Sequence, residues 1–133
     1  MRRLPPNTAT RTLVIEDNLD IGSLLGVLLG ELGHEVCAIA TTEAEAVHAA
    51  LCHRPELIIA DVQLGSGSGI AAIDRILGVR FVPHLFMSGS IAKLRAIRPD
   101  AVALQKPFNE SELMAAIRRV FDRAPPLVAG QPA

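Results

Sequence analysis

Short runs of apolar residues alternate along this chain with longer segments in which apolar positions recur every three or four residues. The short runs predict five β-strands, at residues 12–15, 36–40, 57–60, 83–87 and 101–105. Five helical segments follow them, beginning near Leu19, Thr42, Ile70, Ile91 and Asn109. Strands that alternate with helices are typical of a parallel sheet covered by helices on both faces. The pattern therefore predicts a doubly wound α/β fold.

Two helix starts carry a polar motif, and one connection is rich in glycine. Thr42-x-x-Glu45 and Asn109-x-x-Glu112 have the spacing of a capping box, in which two side chains satisfy the free backbone amides of the first turn. In residues 65–69 glycine alternates with serine. We expect this run to be a mobile loop at the edge of the sheet.

The length of the chain, 133 residues with 50% hydrophobic positions, predicts a single domain with a buried core. Residues 1–10 are expected to form a flexible lead-in, residues 11–124 the folded domain and residues 125–133 a disordered tail. The longest apolar stretch, residues 24–29, is far below the roughly 18 residues needed to span a bilayer. No apolar run follows the amino-terminal arginines as in a secretory signal, so we expect a cytoplasmic protein that does not bind membranes.

Charge and aromatic content argue against direct binding of nucleic acid. Thirteen basic residues oppose 14 acidic ones, which gives a net charge of -1, and a phosphate backbone requires a basic surface. Aromatic residues make up only 3% of the chain, too few for a platform on which single-stranded bases stack.

The two cysteines, Cys37 and Cys52, are too few for a disulfide scaffold. Neither lies in a Cys-x-x-Cys or other recognised Cys/His ligand spacing. We expect both to be small buried thiols.

Polar residues follow four of the five predicted strands, namely Glu16-Asp17, Asp61, Ser88 and Lys106. Ligands of such sheets gather at the carboxyl ends of the strands, so these side chains are expected at one cleft. Three carboxylates in one place repel each other unless a proton or a cation lies among them. A hard cation such as Mg²⁺, with oxygen ligands, fits this need.

A carboxylate, a hydroxyl and an ammonium group beside Mg²⁺ suit an incoming phosphoryl group, because phosphoryl transfer depends mainly on positioning and charge neutralisation. Asp61 is the best candidate for a carboxylate nucleophile, since it follows four apolar residues of a rigid, buried strand. Ser88 and Lys106 could then each contact a phosphoryl oxygen.

The set Glu16-Asp17, Asp61, Ser88 and Lys106-Pro107-Phe108 resembles the receiver domain of two-component response regulators, the CheY-like family, over about residues 10–124. The resemblance implies a flavodoxin-like sheet of strand order 2-1-3-4-5. It also implies a signalling switch with a sensor histidine kinase or histidine phosphotransfer protein as phosphodonor, a downstream protein target and a possible homodimer. The chain resembles the stand-alone type, and beyond weak self-catalysed phosphorylation and dephosphorylation no enzyme activity is expected.

The resemblance also implies a role for each acidic residue. Asp61 would accept the phosphoryl group from a phosphohistidine. Asp17 would ligate Mg²⁺ directly and Glu16 through water, while Asp61 and the backbone carbonyl of Gln63 would complete the protein ligands.

Other matching positions concern the phosphoryl group and the backbone. Ser88 and Lys106 would contact the phosphoryl oxygens, and the Lys106-Pro107 peptide would be cis, a form that only X-Pro bonds adopt at low cost. Gly69 matches the glycine that usually follows the phosphoacceptor loop.

Three departures from the family pattern concern the output of the switch rather than its chemistry. Ala103 stands three residues before the lysine, where many members carry a Tyr or Phe that changes rotamer on phosphorylation. Gly65 replaces the proline that usually follows the phosphoacceptor. The residues between Ser88 and Lys106 leave room only for a short fourth helix.

Two other functions remain open at the level of the sequence. A degenerate receiver would serve as a constitutive interaction module, and the missing aromatic at Ala103 leaves room for it. A small Mg²⁺-dependent phosphohydrolase would also form an aspartyl phosphate, but such enzymes need a second Asp two residues after the nucleophile. Gln63 occupies that position and cannot transfer a proton.

Overall fold

The computed structural model describes residues 10–123, and the predicted lead-in (except Thr10) and tail lie outside this range. Its strands are β1 (Thr10–Ile15), β2 (His34–Ala40), β3 (Leu57–Asp61), β4 (Gln63–Leu64), β5 (Gly67–Ser68), β6 (His84–Ser88) and β7 (Ala103–Gln105). Its helices are α1 (Leu19–Glu31), α2 (Glu43–His53), α3 (Gly69–Leu77), α4 (Ile91–Ile97) and α5 (Glu110–Asp122). Thr10 is buried and pairs with His34, so β1 begins two residues before the predicted start at Thr12.

Five of these strands form a parallel sheet in the order β2-β1-β3-β6-β7. In chain order of the sheet strands this is the predicted order 2-1-3-4-5, and the predicted α/β fold class is confirmed. The short fourth helix is also found, since α4 has only seven residues. None of the helices in the described range is long and apolar enough to cross a membrane.

Helices cover both faces of the sheet, and β3 lies at its centre with every residue buried. Ile58 and Ala60 pack into the core on the side of α2 and α3. Leu57 and Ile59 pack into the core on the side of α1 and α5. Because β3 is held from both sides, the residue at its carboxyl end, Asp61, occupies a fixed position.

The capping box predicted for α5 is present: Asn109 accepts from the Glu112 amide and Glu112 accepts from the Asn109 amide. The box predicted for α2 forms only in part. Thr42 accepts from the Glu45 amide at 3.1 Å, but Glu45 accepts from the backbone and hydroxyl of the preceding Thr41, each at 2.8 Å.

The loop predicted at residues 65–69 is instead part of an ordered hairpin. β4 and β5 pair in antiparallel fashion, and Ser68 then caps α3 by accepting from the amides of Ile70 and Ala71. The Glu43 carboxylate, at the start of α2, accepts from the Ser68 amide at 2.9 Å. Residues 67–69 therefore belong to β5 and the start of α3, and the prediction of an irregular loop is wrong for them.

Candidate functional site

An acidic cluster lies at the carboxyl ends of two neighbouring strands. Glu16 and Asp17 follow β1, Asp61 ends β3, and each offers a carboxylate oxygen within 4.8 Å of the other two. Glu16 and Asp61 are buried, whereas Asp17 is exposed. The sequence therefore predicted correctly that these three side chains meet at one edge of the sheet.

Asp61 has a different partner on each carboxylate oxygen. Its Oδ2 lies 2.7 Å from the Lys106 ammonium, and its Oδ1 accepts from the Gln63 amide at 3.0 Å. Lys106 follows β7, and its own amide donates to the Ser88 carbonyl at 2.8 Å. The peptide between Lys106 and Pro107 is cis, as expected. A lysine from the far strand of the sheet thus reaches the acidic cluster.

Within the cluster, the surroundings of Glu16 disfavour its ionised form. Its Oε2 accepts from the Asn18 amide at 3.1 Å, while its Oε1 is buried and has no partner among the described residues. Burial, together with the charge of nearby Asp61, raises the pKa of Glu16 to about 7. A cation beside these oxygens would favour the ionised form again.

The donor set of this cluster fits Mg²⁺. Three carboxylates offer hard oxygen ligands, and one of these oxygens, Glu16 Oε1, is buried and has no hydrogen-bond partner within residues 10–123. The exposed position of Asp17 leaves one side open to water, which Mg²⁺ retains in most protein sites. Gly65, in the turn of the β4–β5 hairpin with φ +46, borders Asp17: an added Cβ would lie 3.3 Å from Asp17 Oδ2.

Ser88, at the end of β6, is buried, and its hydroxyl faces the following loop. The hydroxyl donates to the Ser90 carbonyl at 2.9 Å and accepts from the Ser90 amide at 3.0 Å. Its strand is the neighbour of β3, with Met87 opposite Asp61. The structure thus places Ser88 next to the acidic cluster but gives its hydroxyl a partner in the loop.

Gln105, predicted only as the end of a strand, links several parts of this region. Its Nε2 donates to the Gly89 carbonyl at 2.7 Å and to the Lys106 carbonyl at 3.1 Å. Its Oε1 accepts from the amide of Ile91, the first residue of α4, at 3.2 Å. The available signal was a polar residue at the last position of a strand, directly before Lys106.

The remaining predicted positions lie in the backbone around the cluster. Gly69 is buried at the start of α3, and its amide donates to the Val62 carbonyl at 2.9 Å. Ala103 is buried in β7, and its carbonyl accepts from the Arg119 guanidinium at 2.9 Å. A methyl group therefore occupies the position for which the family resemblance implies an aromatic ring.

Comparison with known proteins gives a consistent picture. Residues 12–118 match the family described as response regulator receiver domain. The chain is 38% identical over 124 residues to the phyllosphere-induced regulator PhyR of Methylorubrum extorquens, covering 90% of this chain and 46% of that protein. It thus spans about half the length of this curated relative.

Solved structures agree with the sequence match. The solution structure of the PhyR receiver domain from Erythrobacter litoralis is 33% identical, with a TM-score of 0.80 over 94% of this chain and 96% of that one. The crystal structure of the anti-anti-sigma factor PhyR from Bartonella quintana is 30% identical, with a TM-score of 0.77 over 94% of this chain and 53% of that one.

Proposed function

Because the chain belongs to the response regulator receiver domain family, we propose that residues 11–124 form a phosphorylation-dependent signalling switch. Asp61 accepts a phosphoryl group from the phosphohistidine of a sensor histidine kinase or histidine phosphotransfer protein. The phosphorylated form then acts by binding a protein partner or by passing the phosphoryl group on.

The observation that carries this proposal is the setting of the Asp61 carboxylate. It ends a strand that is buried on both faces, it contacts Lys106 at 2.7 Å, and it lies within 4.8 Å of two further carboxylates. A nucleophile at this position is fixed by the sheet, and the groups that neutralise phosphoryl charge are already next to it.

In the proposed reaction a carboxylate oxygen of Asp61 attacks the phosphorus atom as the bond between phosphorus and the donor imidazole nitrogen breaks. The electron pair of that bond stays on the imidazole, which takes up a proton, and Asp61 becomes an acyl phosphate. Mg²⁺, held by Glu16, Asp17, Asp61 and the Gln63 carbonyl, would neutralise the gathered negative charge when bound. The Lys106 ammonium moves away from the Asp61 carboxylate and pairs with a phosphoryl oxygen.

The response to phosphorylation is proposed to begin at Ser88. The Ser88 hydroxyl breaks its hydrogen bond to the Ser90 carbonyl, which is 2.9 Å long in the structure. It then donates to a phosphoryl oxygen instead. This change alters the loop that leads into α4. Ala103 has no ring to reorient. We propose that Gln105 transmits the change, because it ends β7 while its side chain bonds this loop and the first residue of α4.

The partners proposed here are proteins. The name of the Bartonella relative, an anti-anti-sigma factor, describes a regulator that acts on another protein. That relative is about twice as long as the matched region, so its activity belongs to the whole protein. For this chain we propose a downstream protein target and no direct contact with nucleic acid.

Intact mass spectrometry after incubation with acetyl phosphate and Mg²⁺ tests the proposal. We expect the wild type to gain one phosphoryl group and Asp61→Asn to gain none. Asp122→Asn, at the exposed end of α5, is the matched control and should label like the wild type. A wild type that takes up no label would favour the constitutive interaction module instead. Turnover of a model phosphate ester would favour the phosphohydrolase, which Gln63 makes chemically difficult.

A further inference from the structure

The two cysteines of the chain lie in opposite environments. Cys37 in β2 is half-buried, its thiol donates to the Thr12 carbonyl at 3.4 Å, and burial raises its pKa. Cys52, in the last turn of α2, is exposed, and its Sγ lies 3.4 Å from Nε2 of His48. The expectation of two buried thiols is therefore wrong for Cys52.

His48 and Cys52 are four residues apart on a helix, so both project from the same face. In a tetrahedral Zn²⁺ site, metal–sulfur and metal–nitrogen bonds of about 2.3 and 2.0 Å place the two ligand atoms about 3.5 Å apart. The observed separation of 3.4 Å is close to this value. We propose that His48 and Cys52 together chelate a thiophilic divalent cation such as Zn²⁺ or Cd²⁺.

This site lies at the edge of the sheet opposite the acidic cluster. The end of α2 contacts the start of β1, because the Arg54 carbonyl accepts from the Arg11 guanidinium at 2.8 Å. The acidic cluster follows the far end of the same strand. The two sites also differ in ligand chemistry, since thiolate and imidazole suit Zn²⁺ whereas carboxylates suit Mg²⁺. One protein could therefore hold Mg²⁺ at the acidic cluster and a thiophilic cation at His48 and Cys52 at the same time.

Two protein ligands leave the rest of the coordination sphere to water. Glu45 lies one turn before His48, but its Oε1 already accepts from the Thr41 amide and hydroxyl, both at 2.8 Å. The chelate therefore depends on both His48 and Cys52. Once the sulfur is bound, the imidazole binds in an intramolecular step, so its removal should weaken the site by about tenfold or more.

Titration with Cd²⁺ in the presence of excess Mg²⁺ tests the site, because the ultraviolet charge-transfer band of a cadmium–thiolate bond reports only binding to sulfur. The band should appear in the wild type and in Cys37→Ser and be absent in Cys52→Ser. His48→Ala should shift the midpoint to about tenfold higher Cd²⁺ or more. His53→Ala removes a neighbouring exposed histidine and should leave the midpoint unchanged.

Two results would overturn the proposal. A band that persists in Cys52→Ser would assign the metal to Cys37, and an unchanged midpoint in His48→Ala would reduce the site to a single thiol. His48, Cys52 and His53 are exposed, so these substitutions should leave folding intact, which far-ultraviolet circular dichroism checks. Acetyl phosphate labelling of Asp61 is independent of this site and should be unchanged in every variant.

Discussion

The α-carbon of Gly69 faces the backbone of Asp61 so closely that a Cβ added to Gly69 would lie 1.9 Å from the Asp61 carbonyl oxygen. The Gly69 amide also donates to the Val62 carbonyl at 2.9 Å, which ties the start of α3 to the end of β3. The requirement for glycine here is therefore steric: α3 begins directly against the strand end that carries the candidate nucleophile.

Gly69→Ala should destabilise the protein by about 3 kcal/mol, the upper end of what overpacking costs, because the neighbour is backbone and cannot rotate away. Displacement of the Asp61 backbone should also slow acetyl phosphate labelling. Urea denaturation measures the first effect and intact mass spectrometry the second.

Gly30→Ala is the matched control for this substitution. Gly30 is exposed near the end of α1, and a Cβ there would meet nothing within 4 Å. Since glycine weakens helices, this change should stabilise the protein by about 0.5–1 kcal/mol. If Gly69→Ala proved as stable as the wild type, the close approach to Asp61 would be refuted.

The sequence carried enough information to predict the sheet and the meeting of the strand-end residues. Continuous apolar runs as short as 57–60 favour a strand buried on both faces, and the polar residues that follow parallel strands share an edge of the sheet. This is why Glu16, Asp17, Asp61 and Lys106 could be assigned to one place before their contacts were known.

Features that depend on contacts between distant side chains could not be predicted in this way. The β4–β5 hairpin has strands of only two residues and is held by Glu43 of another helix, so it has no periodic pattern of its own. The turn of the Ser88 hydroxyl toward Ser90 is a choice of rotamer. The spacing of His48 and Cys52 indicates a metal-binding pair only once both are known to be exposed on one helix.

Lys106→Met should destabilise the metal-free protein. The side chain of Asp61, 6% exposed, would lose its ammonium partner while Glu16 and Asp17 stay close. Lys106 itself is partly exposed, so solvent screening limits the expected loss to about 1–2 kcal/mol in urea denaturation. Saturating Mg²⁺ should recover much of this loss, because a cation relieves the same repulsion.

Lys93→Met, on α4, is the matched comparison, because it also removes one positive charge but from a lysine away from Asp61. Lys93 is exposed, and its substitution should change stability by less than about 0.5 kcal/mol with or without Mg²⁺. If both variants lost the same free energy of unfolding, the ion pair between Lys106 and Asp61 would contribute no more to stability than one positive charge elsewhere on the surface.

The raised pKa of Glu16 predicts an unusual dependence of stability on pH in the metal-free protein. The pKa is about 7 in the fold against an ordinary value of 4.5, so between these values the folded state binds more protons than the unfolded chain. This group therefore makes the free energy of unfolding fall as pH rises from about 4.5 to about 7 and level off above. Urea denaturation in the presence of a chelator measures this slope.

Glu16→Gln should reduce the slope and raise the stability of the metal-free protein near pH 8 by about 1–3 kcal/mol. Mg²⁺ and protons compete for the wild-type carboxylate, so a fixed concentration of Mg²⁺ should raise the melting temperature more near pH 8 than near pH 5.5. The same Mg²⁺ should stabilise Glu16→Gln less. A wild-type slope unchanged by the substitution would place the titrating group elsewhere.

Gln105→Ala should uncouple the loop after Ser88 from the end of β7. The side-chain amide of Gln105 donates to the Gly89 carbonyl and accepts from the Ile91 backbone amide. Its removal therefore frees the loop, while Asp61 and Lys106 keep their contact. Beryllofluoride mimics the bound phosphoryl group, and amide NMR shifts follow its effect. In the variant we expect shifts around Asp61 to persist and shifts in α4 and β7 to shrink by about half or more, because the coupling free energy between the two regions falls.

Arg95→Ala tests whether any change on α4 has the same consequence. Arg95 is exposed in the last turn of α4 and forms no hydrogen bond or ion pair through its side chain with the described residues, so its removal should leave the beryllofluoride shifts of α4 and β7 as they are. Identical shift patterns in Gln105→Ala and the wild type would mean that the response crosses to β7 through the backbone alone. A loss of shifts around Asp61 itself would mean that Gln105 supports the site rather than transmits its state, since coupling requires the local event to survive.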